Sequence, residues 1–481
     1  MHEEPRVRFP ASVLRLLLIL TLAVGVLSVY ELHDSRNDDA YITWRYGQNL
    51  ANGRGPVFNP GSPILGSTSP GELLSSALVY RFAGLEETPN WMASFGCVAW
   101  LAQVLLIFVL LRRVFGDWTA VLGALVLMLG CAGSDIRVAL ETNQVVALNL
   151  GALWMAIDKH WRRAAFLAGL SALFRPDALL FVIPLAAFCV YEQRAKALEP
   201  AVVFLAVLAP WMLFATYYYG TPIPMSAITK FQRVGIRFYA DHIFHHLGAY
   251  VLPDTPKVTA LLWGLGFAGA LRLFQRGRWY ALLAIYPVLH YAAYLVLRPF
   301  TVHSWHLYPA EAMMLVLAAV ALGSLLEGRS SWGRSVGAAT AIGLLAFGGI
   351  HGAERIAGHQ TSRWGGGRDQ AYREVAAFLD EHGDRKKEFF AAIEVGTVAY
   401  YSDFSAMDLG WLVSPRGALL DQGELRWLMT DPIYDYMVPK GAAKAFSTER
   451  GTFHVDLYDL WNGNSAPNAP SRIRWSDWPL N

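Results

Sequence analysis

The chain has 481 residues, of which 54% are hydrophobic and 17 are tryptophans, and its mean hydropathy is +0.31. This composition is too apolar for an ordinary soluble protein, because apolar runs long enough to cross a lipid bilayer recur along the chain. The formal net charge of +2 is spread among loops instead of lying on one face, so it gives no indication of a nucleic-acid partner.

Apolar runs predict about eleven membrane spans by the rule of roughly twenty residues per crossing. They lie at 13–30, 91–111, 118–134, 143–157, 164–174, 178–191, 199–218, 258–274, 279–297, 308–326 and 333–350. The first run follows basic residues and has no convincing cleavage site of small residues, so we interpret it as a retained span. The run 71–84 is assigned to the membrane interface, because counting it as a span would invert every later loop.

Basic residues in short loops predict which side of the membrane each loop faces. If the N-terminus is cytoplasmic, one side collects Arg112, Arg113, Lys159, Arg162, Arg163, Arg194, Lys196, Arg272, Arg276, Arg278, Arg329 and Arg334. The exterior side then receives the segments 31–90, 219–257 and everything after about 351. Short loops around Glu141, 175–177 and 303–306 fall there too. We therefore predict a multi-pass membrane protein with a cytoplasmic N-terminus, whose unusual polar residues face an exterior that is either periplasmic or lumenal.

The segment 38–52 is predicted to be an amphipathic helix in the membrane interface. Its apolar face consists of Tyr41, Ile42, Trp44, Tyr46 and Leu50, and Trp and Tyr prefer that depth. Turn-forming residues follow at 53–61, and Pro70 stands where the start of the next helix is expected.

The last 130 or so residues differ in character from the rest of the chain. Segment 370–381 has the periodicity of a helix, and segments 388–393 and 395–401 have the composition of two strands joined by a turn. The fold class predicted is a mainly α, polytopic membrane protein with a small soluble α/β domain at its C-terminus. The membrane module is placed at 1–350, with a first exterior loop at 31–90, and the exterior domain at 351–481.

Asp38 and Asp39 are two adjacent carboxylates at the head of the predicted interfacial helix. Charges beside an apolar phase are costly unless they are used or satisfied. As catalytic groups they suit glycosyl transfer from a phosphosugar, which needs a carboxylate to accept the acceptor's proton. The alternative is a helix N-cap with a favourable dipole interaction, which contributes about 1 kcal/mol without any chemistry.

Cations are the second requirement of such a transfer, because negative charge is left on the phosphate. Candidates on the same predicted side are Arg45, Arg175, Lys230, Arg233, His303 and His306. Arg175 has another interpretation, as a structural ion pair with Asp177 at a sharp helix break.

Glu141 is a lone acid between two apolar runs. It suits a second catalytic acid or a ligand for a divalent cation beside Asp39, but a solvated loop acid or a helix cap fits the same position. Candidates for contacting the substrate are Tyr41, Trp44, His303 and Trp305. A histidine at an interface can equally be structural.

Several common site motifs are absent from the sequence. It contains no CxxC or HExxH zinc motif and no GxxxxGK[ST] loop, so neither a zinc site nor nucleotide hydrolysis is indicated. The three cysteines, Cys97, Cys131 and Cys189, lie in apolar runs and are typical of small buried hydrophobic residues.

The polar motifs, taken together, resemble those of C-type (GT-C) membrane glycosyltransferases. The resemblance rests on 38–46, 49–51, 57–61, 68–70, 140–142, 175–177, 219–224 with Lys230, 395–402 and 408–409, and so spans nearly the whole chain. Within that superfamily the sequence is most similar to the branch that contains the mycobacterial terminal arabinofuranosyltransferases and related bacterial transferases. The paired aspartates are the most specific element of the resemblance.

The resemblance implies an inverting transferase of the bacterial inner (plasma) membrane, with a polyprenyl-phosphate-linked sugar as donor and Asp39 or Asp38 as base. Arabinofuranose or another pentose is the sugar it suggests, and an exterior glycan or protein is the acceptor. The chain departs from the family pattern at two places. Ala139 stands where a glycine is often found, and the loop near His303 lacks the Gly-Asp-Trp element of many relatives. Acceptor identity is therefore the least transferable property. The predicted site is an exterior cleft between the Asp38 helix, the Glu141 loop and the Lys230 loop, roofed by the C-terminal domain.

Two other classes fit a polytopic chain of this kind. A transporter or flippase of lipid-linked sugars would place ionisable groups near the bilayer midplane and show internal inverted repeats, and neither feature is visible in the sequence. A non-catalytic family member that serves as a partner scaffold is the other alternative.

Overall fold

The computed structural model describes residues 36–131, 140–230, 256–299, 304–328, 330–361, 366–392, 394–408, 412–413, 424–430, 443–448 and 451–457, with five single positions before residue 36. Most of the first predicted span, His303, Arg233 and the end of the chain lie outside these residues. Expectations about them stay predictions.

Helices make up most of the described chain. In chain order they are α1 Asp38–Ala51, α2 Pro70–Val114, α3 Asp117–Cys131, α4 Thr142–Ile157, α5 Trp161–Phe174, α6 Leu179–Gln193, α7 Leu198–Tyr219, α8 Met225–Lys230, α9 Pro256–Arg276, α10 Arg278–Leu297, α11 Ser304–Leu326, α12 Ser331–Thr361, α13 Gly366–His382 and α14 Gly396–Ser402. Short 3₁₀ turns at Pro176–Ala178 and Arg194–Ala197 precede α6 and α7.

Within the described residues, four helical stretches are long and apolar enough to cross a membrane: Pro70–Val114, Pro176–Tyr219, Trp279–Leu297 and Trp305–Leu326. The first two contain breaks. Gly84 has φ 78° and ψ −173° inside α2, and Arg194 has φ 50° between α6 and α7. The chain is thus built as an integral membrane protein, while the count of eleven spans stays a prediction.

The helices form a bundle whose two ends carry different polar groups. One end holds ion pairs between helix termini, among them Arg113 with Asp158, Lys159 with Glu192, and Arg162 with Glu199. The other end holds Arg175, paired with Glu141 and Asp177. Since α4, α5, α6 and α7 follow one another with short connections, each runs from one of these ends to the other.

The first part of α2, before the break at Gly84, lies at the end of the bundle that holds Arg175. A Cβ on Gly71, near its start, would touch the ring of Phe174 at the end of α5. Just after the break at Gly84, the carbonyl of Leu85 accepts a hydrogen bond from Tyr400 of the C-terminal segment, which we define as the residues from 366 onward. Both ends of this half-helix therefore lie on one side of the bundle, and the interfacial position of residues 71–84 stays a prediction.

The C-terminal segment contains a five-stranded mixed sheet. Its strands are β1 Glu388–Ala392, β2 Ser405–Asp408, β3 Glu424–Thr430, β4 Ala443–Thr448 and β5 Gly451–Leu457, in the order β2-β1-β3-β5-β4. β1 pairs in parallel with β2 and β3, and the pairs β3–β5 and β4–β5 are antiparallel.

The sequence predicts a second strand over residues 395–401, and that prediction is wrong. Residues Gly396–Ser402 form helix α14. The β-branched and aromatic composition of this stretch suits burial on several sides, because residues 396 to 400 and Ser402 are all buried. Tertiary packing therefore overrides local propensity here.

Helix α1 shares a hydrophobic core with the C-terminal segment. Ile42 and Tyr46 of α1 pack with Phe390 of β1 and with Val398 of α14. The aromatic side chains that suggest an interfacial helix, Tyr41, Trp44 and Tyr46, are buried within the protein, and the interfacial position of α1 stays a prediction. These aromatic residues help to pack the first loop against the C-terminal segment.

Candidate active site

Helix α1 positions the site through three faces that contact different parts of the protein. Its first turn is capped by Asn37, whose side-chain oxygen accepts the N–H of Asp39 at 3.1 Å. The cap of this helix is thus Asn37 and not either aspartate. Because successive helical residues point about 100° apart, Asp38 and Asp39 are directed to different surroundings.

The first face of α1 meets the C-terminal segment. Asp38, Tyr41, Arg45 and Gln48 recur at the spacing of one helical face, and each contacts that segment. The Asp38 carboxylate accepts the N–H of Gly396 at 2.8 Å and of Thr397 at 2.7 Å. This carboxylate therefore serves as a cap of helix α14.

The second face of α1 meets α2. Trp44 donates its indole N–H to Glu72 at 3.1 Å. A Cβ on Gly47 would lie 2.2 Å from the hydroxyl of Ser76, so the two helices touch at a position where glycine is needed. Gly47 thus permits the close approach that fixes the angle of α1 on α2.

The third face of α1 opens to a cavity of about 340 Å³. Residues predicted from the sequence that line this cavity are Asp39, Glu141, Arg175, Lys230, Trp305 and His306. In the described chain, no side chain or backbone N–H donates to the Asp39 carboxylate. Asp39 therefore lines the cavity, and its carboxylate accepts no hydrogen bond from the described residues.

Arg175 also lines the cavity, and its charge is already compensated by carboxylates. Its guanidinium binds Asp177 through two hydrogen bonds of 2.9 and 2.7 Å, and it reaches Glu141 at 3.3 Å. Tyr294 donates its hydroxyl to the same Asp177 at 3.2 Å. The ion pair between Arg175 and Asp177 that the sequence predicts is thus present, and Glu141 is a partner of Arg175.

Lys230 reaches the cavity from the end of the short helix α8. The backbone of residues 64–66 holds this helix beside α1: the Met225 N–H donates to Leu65, and Ser226 donates its hydroxyl to Gly66. The Tyr46 hydroxyl binds the same stretch, because it accepts the Gly66 N–H at 2.8 Å. No carboxylate among the described residues pairs with Lys230, so its charge remains available to an anion in the cavity.

Aromatic side chains and an apolar rim complete the cavity. Trp305 and His306, from the first turn of α11, lie beside each other with ring centroids 5.7 Å apart, and the Tyr294 ring is 6.0 Å from that of His306. Leu179, Leu180 and several other apolar residues line the cavity as well. An aromatic wall with an apolar margin suits a sugar ring joined to a lipid.

Four residues predicted at the site do not line the cavity. Asp38, Tyr41, Trp44 and Arg45 are buried in the contacts of α1 with the C-terminal segment and α2. Arg45 binds Asp403 at 2.5 Å and is fully buried, so it is not placed to bind a phosphate in the cavity. The fifth residue, His303, lies outside the described residues.

Sequence reasoning missed the partners of these buried groups. Asp403 accepts hydrogen bonds from both Arg45 and Arg54. Burial by itself would raise the pKa of Asp403, but hydrogen bonds and positive charge from Arg54 and Arg45 outweigh burial, so its pKa lies below the ordinary value. No local signal in the sequence identifies Asp403, because its partners lie more than 300 residues away.

The sequence suggests a divalent cation between Glu141 and Asp39, and such an ion needs several side chains arranged to bind it. Where the structure describes the chain, no group of three His, Cys, Asp or Glu side chains is arranged to hold a metal ion. One oxygen of Glu141, Oε1, is already bound by Arg175. A divalent cation beside Glu141 and Asp39 stays a prediction.

Solved structures of two proteins resemble most of the chain. ArnT from Cupriavidus metallidurans in the apo state has a TM-score of 0.60 and 13% identity, covering 92% of this chain and 97% of that chain. ArnT bound to undecaprenyl phosphate has a TM-score of 0.58 and 13% identity, covering 93% and 98%. The archaeal oligosaccharyltransferase AglB from Archaeoglobus fulgidus, in complex with an inhibitory peptide and a dolichol-phosphate, has a TM-score of 0.55 and 13% identity, covering 93% and 75%.

These similarities establish the fold. The chain shares its overall fold with ArnT and with AglB. No family model matches the sequence, and no curated protein matches it either. At 13% identity, activity and substrate have to be argued from the cavity itself.

Proposed function

We propose that the protein is an inverting membrane glycosyltransferase that moves a sugar from a polyprenyl-phosphate donor to an acceptor hydroxyl or amide. One observation carries this proposal: the Asp39 carboxylate, which accepts no bond from the described chain, shares a cavity with Lys230 and an aromatic wall. A base, a cation for the phosphate and a surface for the sugar are the parts that such a transfer needs. The fold that the chain shares with ArnT and AglB supports this assignment.

In this mechanism Asp39 acts as the general base. It accepts the proton of the attacking acceptor group while the new bond to the anomeric carbon forms. The bond from that carbon to the phosphate oxygen breaks, and its electron pair leaves with the polyprenyl phosphate. Attack from the side opposite the phosphate inverts the anomeric carbon.

Lys230 binds the phosphate and stabilises the charge that grows on it during transfer. We assign this task to Lys230 and not to Arg175, because Glu141 and Asp177 already compensate the Arg175 charge. The ion-paired cluster of Arg175, Glu141 and Asp177 instead fixes the shape of the cavity wall. His306 and Trp305 lie where the sugar or phosphate would contact α11.

The finer assignments are parts of the same proposal. A pentose such as arabinofuranose is the proposed sugar, on the strength of the sequence resemblance, and a glycan or protein of the cell envelope is the proposed acceptor. The cavity faces the exterior of an inner membrane if the basic loops mark the cytoplasmic side. The pentose assignment fails if only hexose donors are used.

Purified protein supplied with labelled polyprenyl-phosphate pentoses and hexoses tests the proposal. Transfer of label to an envelope glycan or peptide is the expected result. Movement of the lipid between leaflets of a vesicle without product would identify a flippase. Neither product nor movement would identify a scaffold without catalysis.

A further inference from the structure

We propose that Asp38 is a positioning residue, which fixes the catalytic base by binding the C-terminal segment. This inference rests on the proposed function, since it assigns Asp39 the role of base. The two aspartates share one peptide bond but meet different surroundings: Asp39 lines the cavity, and Asp38 is buried against α14. Any displacement of Asp38 therefore moves the backbone that carries Asp39.

The contact between Asp38 and α14 uses both carboxylate oxygens. Oδ2 accepts the N–H of Gly396 at 2.8 Å and Oδ1 accepts that of Thr397 at 2.7 Å. Hydrogen bonds to an ionised acceptor are roughly twice as strong as neutral ones, and the start of a helix favours a negative charge. Since Asp38 is also only 7% exposed, this carboxylate is committed to α14 and is poorly placed to take a proton from a substrate.

Gly396 makes the contact possible from the other side. A Cβ at this position would lie 2.0 Å from the Asp38 carbonyl oxygen, a distance that real Cβ atoms do not reach. The backbones of the first loop and of the C-terminal segment thus touch directly at the residue next to Asp39. A methyl group here would push apart the two segments.

The remaining contacts along this face hold the rest of α1 but lie farther from the base. Gln48 donates to the Tyr400 carbonyl at 3.1 Å, and Arg45 binds Asp403. After the helix, the Asn59 side chain pairs with both backbone groups of Ala406 at 2.9 Å. Helix ends fray, and in addition to the Asn37 cap the Asp38 contact ties the turn presenting Asp39 to the C-terminal segment.

The test breaks this contact from both sides, with Asp38→Asn and Gly396→Ala, so that failure of one variant to fold leaves the other. Glu86→Gln is the matched control, because Glu86 joins α2 to Arg373 of the C-terminal segment through an exposed ion pair. Each purified variant is scored for kcat per folded protein, for the donor KM and for hydrogen exchange of residues 39–43.

We expect both test variants to lower kcat by about 10- to 100-fold, because a displacement of about 1 Å at a reacting group costs this much. The donor KM stays unchanged, and amides 39–43 exchange faster, while Glu86→Gln leaves all three unchanged. Wild-type kcat in either folded variant, or a loss that appears only in KM, overturns the positioning role. A wild-type protein that transfers no sugar overturns instead the proposed function on which this role rests.

Discussion

Arg45 and Asp403 are 358 residues apart in the chain and bind each other at 2.5 Å. The guanidinium is completely buried, and it also donates to Gln48 and to the carbonyl of Phe58. A cation that the sequence assigns to a donor phosphate thus joins the first loop to the C-terminal segment. The cavity depends on this junction, because α1 forms one of its walls.

Replacement of Asp403 by Asn tests the importance of this ion pair for stability. The change leaves the buried Arg45 charge without its partner, and we expect a loss of about 3–5 kcal/mol in the free energy of unfolding, since removing one member of a buried pair strands the other. The matched variant Arg54→Gln removes an exposed partner of the same carboxylate and should cost at most about 1 kcal/mol. Equilibrium unfolding in detergent measures both values, and equal losses would contradict the account.

Acidification should weaken the same junction. The pKa of Asp403 is lower in the folded protein than its ordinary value, so its contribution to stability is present above about pH 4, the unfolded value. That contribution is lost as the pH falls through the lower, folded pKa. We expect the unfolding midpoint of the wild type to drop more steeply below about pH 4 than that of Asp403→Asn. Identical pH profiles for the two proteins would show that Asp403 does not contribute.

Lys230 is expected to govern donor binding. Lys230→Met should raise the donor KM by roughly 10- to 100-fold, as expected when a hydrogen bond to a charged group worth about 1.5–3 kcal/mol is removed. Lys230→Arg keeps the charge and should retain more of the affinity. Lys387→Met, at an exposed lysine of the C-terminal segment, is the control. A donor KM in Lys230→Met equal to that of the control would exclude Lys230 from the phosphate site.

Arg175 should contribute to stability more than to phosphate binding. Arg175→Gln leaves Glu141 and Asp177 without their cation at the cavity wall, and we expect a loss of about 3–5 kcal/mol in unfolding free energy. Arg113→Gln, which removes an exposed pair with Asp158 at the far end of the bundle, should cost no more than about 1 kcal/mol. The interpretation fails if the two substitutions have similar effects on unfolding.

The sequence predicts which residues gather at the cavity better than it predicts what they bind. Glu141, Arg175 and His306 flank apolar runs, while Asp39 and Lys230 lie in longer segments assigned to the same side, and polar groups between spans must collect at the ends of the bundle. Their convergence therefore follows from the hydropathy pattern once the loops are assigned to one side.

The roles of Asp38 and Arg45 could not be read from the sequence. Helical geometry shows that Asp38 and Asp39 cannot face the same way, but it does not show which of them meets the cavity. That choice is made by Gly396 and Asp403, which lie in the C-terminal segment, and no local pattern links positions so distant in the chain. The same long-range packing turns residues 395–401, which favour a strand, into helix α14.

The most direct test of the central claim is sugar transfer by Asp39→Asn. The substitution keeps the size of the side chain but removes its negative charge and its ability to accept a proton, and we expect folding and donor binding to be preserved. We predict that transfer from a labelled polyprenyl-phosphosugar falls by at least about 100-fold, as expected on loss of a general base. Transfer at a near-normal rate by the folded Asp39→Asn protein would contradict the assignment of Asp39 as the base.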